Sequence, residues 1–225
     1  MSCFSGCVSG ADESDDDDKQ QVEATREKPA ALDGIIKLRS SGPNSRGNGV
    51  GVLDECIAGL NATMPGQMPI TIEDIRAQNF SIPSTIYRAA RNDASSVLKN
   101  GIPSGRSSYK SDDEYLAAII CHTARTCGSE GQVPSFSADF QTSRRFVRPG
   151  NNMSFVNVDT THDPLGFRTI PDILINDVER LVQNGLVRKA TVIGAIRHLF
   201  DYQEKEVFYV RGNLPSSMIG SAMPA

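Results

Sequence analysis

The sequence predicts a mainly α fold: one helical domain over residues 48–212, set between an acidic N-terminal arm at 1–47 and an extended C-terminal arm at 213–225. Three observations carry this. Apolar residues recur at helical spacing up to residue 128 and again from 169. Capping residues bracket those stretches. Between them, residues 131–167 are rich in Gly, Ser and Phe and hold no sustained helical period, so they read as an irregular loop with one or two short strands.

Residues 1–47 carry nine acidic against six basic side chains, a net −3 out of the −4 of the whole chain. The block ESDDDDK has no apolar partners and reads as disordered. Residues 30–39, AALDGIIKLR, show one short apolar face and are expected to become helical only against a partner, because short isolated helices are marginal. SSGPNSRGNG then reads as a flexible linker.

The folded region opens with Val52, Leu53, Cys56, Ile57 and Leu60 on one helical face. After the loop ATMPGQMP, Thr71 caps a second helix with Glu73 and Asp74 in its first turn. Ser84 is expected to cap a third, TIYRAARNDASSVLK, closed by Asn100-Gly101. The best-specified helix spans 111–128. Ser111 and Glu114 form a capping-box pattern, Asp112 and Asp113 favour the first turn, and Gly128 suits a left-handed C-cap. Residues 154–158 alternate like a short strand. Pro171 begins a strongly periodic helix through Ile173, Leu174, Val178, Leu181 and Val182, which ends at Asn184-Gly185. Ile193, Ile196, Leu199 and Phe200 mark its hairpin partner. Residues 206–211, EVFYVR, read as one strand or an extended edge. The last stretch, GNLPSSMIGSAMPA, holds Met218, Ile219 and Met223 as apolar anchors. These are the expected oligomerisation contacts, placed on an arm that docks on a neighbouring copy.

The chemistry-bearing residues do not match a catalytic or metal-binding pattern. Zinc sites use four ligands, usually in close pairs. Cys121 and Cys127 are six apart on one predicted helix, about 600° of rotation at ~100° per residue, so they and His122 point in different directions. A thiol nucleophile needs a base and an orienting group. His162 or His198 with Asp159 or Asp163 could supply them, but neither cysteine sits at the helix N-terminus that would lower its pKa. The His162-Asp163 dipeptide of metal-dependent phosphohydrolases lacks the further histidines such sites need; DTTHDPLG is read as a turn. GNGVG at 47–51 has no preceding strand and no Lys-Ser/Thr, so it is read as linker rather than phosphate loop. No catalytic residue, cofactor or metal is therefore expected.

Five cysteines, an odd number, build no disulfide framework and fit a reducing compartment. The sequons at Asn61, Asn79 and Asn152 then have no transferase to meet. No apolar run approaches the roughly 20 residues that cross a bilayer, and the N-terminus does not read as a signal peptide. Acylation of Cys3 and Cys7 would provide two lipid anchors, but the adjacent aspartates oppose an anionic membrane, and lipid anchoring is not the preferred reading.

One signal is retained. Arg144, Arg145 and Arg148 cluster with Phe140 and Phe146, while Arg188, Lys189 and Arg197 lie on the C-terminal hairpin. Guanidinium forks suit phosphate oxygens and aromatic rings stack on bases, so these residues are the nucleic-acid-binding candidates. The resulting expectation is a non-catalytic, self-assembling structural protein of the viral capsid, nucleocapsid or matrix type. Its partners are copies of itself and single-stranded RNA, and its location is the cytoplasm and the virion. The rival readings are a small cysteine-dependent hydrolase and an adaptor that binds through its acidic arm.

Overall fold

The computed structural model describes residues 51–126, 133–147 and 153–224. The chain divides into two units, Met1–Asn48 and Gly49–Ala225. The acidic arm, the linker, Cys3, Cys7, Cys127, Arg148 and most of the GNGVG stretch lie outside the described residues.

Among the described residues, seven α-helices and six strands follow one another from Val52 to Pro224. α1 (Val52–Ala62) and α2 (Ile72–Ala77) precede β1 (Thr85–Ala90) and α3 (Ala94–Asn100). Then come α4 (Asp112–Thr123), β2 (Ser135–Ser137), α5 (Phe140–Arg144), β3 (Ser154–Asp159) and β4 (Phe167–Thr169). α6 (Ile170–Gln183), α7 (Lys189–Tyr202), β5 (Glu206–Tyr209) and β6 (Ile219–Pro224) complete the unit. The strands form one sheet in the order β4-β5-β2-β1-β3-β6, and every pairing is antiparallel.

The mainly α expectation is thereby overturned: the fold is α+β, built on a six-stranded antiparallel sheet. The largest local correction concerns TIYRAARNDASSVLK, which is a strand followed by a short helix. The break comes at Asp93, whose carboxylate accepts the Ser96 N–H at 2.8 Å and starts α3. Before that break, Ile86 and Ala90 are buried two register steps to either side of Arg88, the period-2 pattern of a strand. The C-terminal stretch also differs from a docking arm. Ile102 and Leu214 exchange two backbone hydrogen bonds of 2.9 Å, Met218 is buried, and β6 pairs with β3 of its own chain.

Two apolar cores flank the sheet. The larger joins α1, α2, α4, α6 and α7 to Phe208 of β5. The smaller packs Ile86, Phe136, Val156, Val158, Val207 and Tyr209 against Val97 of α3 and against Leu214 and Met218. β5 is therefore buried on both faces, which is why VFY reads as a continuous apolar run and not as an alternation.

Local rules explain the helix starts. Thr71 and Asp74 make the reciprocal capping box of α2. At α4 the Ser111 hydroxyl accepts the Glu114 N–H at 3.2 Å, while Glu114 reaches one residue further back than expected, to the Lys110 N–H at 2.7 Å. α4 also ends earlier than its Gly128 cap implies. Arg125, at φ 54°, takes the left-handed position. Among the described residues no helix is long and apolar enough to cross a membrane.

Candidate functional site

The six-residue strand β6 ends the sheet. Among the described residues nothing pairs with its outer edge. Its sequence, IGSAMP, carries no charge, and Met223, opposite Phe155, is 52 % exposed. The opposite edge is different. β4 has three residues, and its Arg168 is tied into ion pairs with Asp172 and Asp177. Short or charged strands blunt a sheet edge, and a long uncharged one is a template for a further strand.

The apolar surface continues from Met223 across the sheet. Phe155 stacks on Tyr87, with ring centroids 6.0 Å apart, and Phe140 of α5 meets both rings edge-on at 5.0 and 5.4 Å. Arg144 lies over the Phe140 ring at 5.8 Å. Phe140 is 38 % and Phe146 49 % exposed. Neither Arg144 nor Arg145 has a carboxylate partner among the described residues, whereas Lys189 pairs with Glu55 and Arg197 with Asp201 at 3.3 Å. The structure thus separates the expected basic residues. Arg144, Arg145 and Phe146 sit at the end of α5, which packs on β1 and β2, while Arg188 and Lys189 open α7, which packs on α1. Ile219 is half-buried at the β3–β6 junction, where the register shifts.

A second grouping was not legible in the sequence. α7 ends at Tyr202, four residues after His198. Gln203 and Lys205 both adopt left-handed conformations, at φ 49° and 48°, and the chain doubles back so that Glu204 and Glu206 meet His198. Non-glycine residues rarely take this conformation, and each costs on the order of 1 kcal/mol. Glu206 faces the helices with Phe208, since β5 pairs Glu206 with Ser137 and Phe208 with Ser135. From the end of α4, Arg125 reaches Glu204 Oε1 at 3.7 Å and lies over the Tyr202 ring at 4.8 Å. His122 packs edge-on against Phe208 at 6.2 Å. Burial, and next the charge of Glu204, push the Glu206 carboxyl up to about 7. Glu204 itself is held below the usual carboxylate range by the His198 imidazole first, then by Arg125 and His122.

The raised Glu206 carboxyl has a consequence for folding. Its ordinary value is 4.5, so in metal-free buffer its contribution to stability declines as pH rises from about 4.5 to about 7 and is level above that. Allowing for its part exposure, the loss is on the order of 2 kcal/mol. Urea unfolding at pH 5 and pH 7.5 is expected to show this decline in the wild type and not in Glu206→Gln; parallel profiles would mean that the carboxyl stays solvated.

Of the two candidate thiols, Cys121 is half-buried near the end of α4 and Cys127 lies outside the described residues. Cys56 is buried, and that burial pushes its thiol up to about 11, the opposite of what a nucleophile needs. Exposed His162 lies 3.7 Å from Asp159, while Asp163 binds the Arg211 guanidinium at 2.8 Å and the Tyr209 hydroxyl at 3.2 Å. The dipeptide is a turn whose two side chains serve different neighbours. Comparison with protein-family models, curated proteins and solved structures brings no match to the chain.

Proposed function

We propose that the chain is a non-catalytic, self-assembling structural protein of the capsid, nucleocapsid or matrix kind, and that the edge of β6 is where copies meet. One observation carries the reading: a six-residue, uncharged strand closes the sheet with its outer edge unpaired among the described residues. A second copy brings the same neutral strand. Antiparallel edge-to-edge pairing about a two-fold axis then joins two backbones without placing like charges opposite each other. Exposed Met223 and the Phe140–Phe155–Tyr87 strip beside it add apolar surface to that contact. Met218 and Ile219, which the sequence alone would assign to the same contact, support it from inside the fold.

Single-stranded RNA is the second partner in this reading. Arg144 and Arg145 offer guanidinium forks with no carboxylate partner among the described residues, and exposed Phe146 and Phe140 offer faces on which bases stack. The cytoplasm and the assembled particle are the corresponding locations.

Lysines at an exposed edge are the usual block to strand addition. Ser221→Lys combined with Met223→Lys is expected to raise the dissociation constant of self-association at least tenfold in sedimentation experiments, with unchanged circular dichroism. Self-association as tight as in the wild type would remove β6 from the interface. Arg144→Ala with Arg145→Ala is expected to weaken single-stranded RNA binding and to flatten its salt dependence by about two phosphate contacts. An unchanged slope would remove α5 from the RNA reading.

A further inference from the structure

His198, Glu204 and Glu206 each present a ligand atom, and these three atoms lie within 4.8 Å of one another. Two carboxylates this close repel unless a proton or a cation lies between them. Arg125 provides one positive charge, on Oε1 of Glu204 at 3.7 Å. It leaves Oε2 turned to His198, whose Nε2 stands 3.5 Å away. That separation is long for a hydrogen bond. It is close to the edge of a tetrahedron drawn around an ion with bonds of ~2.0–2.1 Å, about 3.4 Å. The two side chains are 10 % and 15 % exposed, so the ion would be largely shielded from water.

We propose that His198, Glu204 and Glu206 bind a divalent transition-metal ion, one imidazole nitrogen and two carboxylate oxygens supplying three ligands. Zn2+ suits this mixed donor set and the 3.5 Å separation of His198 and Glu204; Ca2+ calls for six or more oxygens, and Mg2+ for an oxygen octahedron. A fourth position remains for water. The ion neutralises the repulsion between Glu204 and Glu206, and it ties the end of α7 to the first residue of β5 across the two left-handed residues that separate them. Tyr202, stacked on the His198 ring at 4.4 Å, lines the same place. The site is independent of the β6 edge and does not rest on the structural-protein reading.

The test uses the full chain, stripped with chelator and titrated with Zn2+ by calorimetry at pH 7.5. One equivalent is expected to bind with a micromolar or lower dissociation constant, and His198→Ala and Glu206→Gln are each expected to weaken it at least tenfold. Binding no tighter than millimolar, or undiminished in both variants as ligation by the free cysteines would give, overturns the proposal. Should either variant fail to fold, the wild type decides: at one equivalent of Zn2+ the His198 ring resonances must shift in an imidazole-selective NMR spectrum. Unmoved His198 resonances overturn the site.

Discussion

Asp177→Ala is expected to cost about 3–5 kcal/mol of folding stability, the range found when one partner of a buried ion pair is removed. Asp177 is only 8 % exposed, on the inner side of α6. It meets Arg168 of β4 at 2.6 Å and accepts from Arg180 at 2.5 Å, and Arg180 also pairs with Asp113 in the first turn of α4. Alanine would leave Arg168, itself 13 % exposed, with Asp172 as its remaining ionic partner. Domains of this kind have about 5–15 kcal/mol in total, so much of the margin would be lost. Urea denaturation measures it directly. The double variant Arg168→Met with Asp177→Leu is expected to be less damaging than Asp177→Ala, since no buried charge is then left unpaired. A cost below about 1 kcal/mol for Asp177→Ala would mean that water reaches the network.

The second large effect is expected at Gly101. Its φ of +73° is a conformation that side chains resist, and an added Cβ would lie 2.0 Å from the Leu214 carbonyl oxygen and 2.9 Å from the Ser216 nitrogen. Both obstacles are backbone, so the chain must part where Ile102 and Leu214 exchange their hydrogen bonds. Gly101→Ala is expected to lose about 3 kcal/mol or more, combining left-handed strain with the disrupted bridge. The loss should be local in character. Amide exchange at Leu214 and along β6 should accelerate more than in α6 or α7, because the bridge is what brings the C-terminal segment onto the fold. Uniform acceleration would mean that the segment unfolds only with the whole domain.

How much of this was legible depended on the range of the interactions. α6 and α7 follow from their apolar period, α1 from its apolar face, α2 from its Thr71 cap and first-turn acids, and α4 from face and cap together. All of these are local signals. The sheet is not local. Tyr87 pairs with Ser137, Ile86 with Val158 and Val158 with Ile219, and helices or long connections intervene throughout. Among the described strands no tight turn joins two neighbours, so the strongest sequence sign of a sheet, the two-residue hairpin, is missing there. Ser135–Ser137 and Phe167–Thr169 are too short to display a period at all. TIYRAA was drawn into a helix by Ser84 before it and Asn100-Gly101 after it, and only its partners β2 and β3 decide otherwise. The same reasoning applies to the sites. Arg144 and Phe140 are sequence neighbours and were visible as a pair. His198, Glu204 and Glu206 are also close in sequence, yet they converge only because Gln203 and Lys205 turn the chain back, and neither residue advertises a left-handed conformation. The spacing His-x5-Glu-x-Glu at the end of a helix was the one available sign.

The most direct test of the structural reading is the mass of the full chain by light scattering, followed across concentration with and without single-stranded RNA. Self-association through β6 predicts masses that climb above the monomer as concentration rises, and assemblies that grow further when RNA is added. A strict monomer under every condition would contradict it.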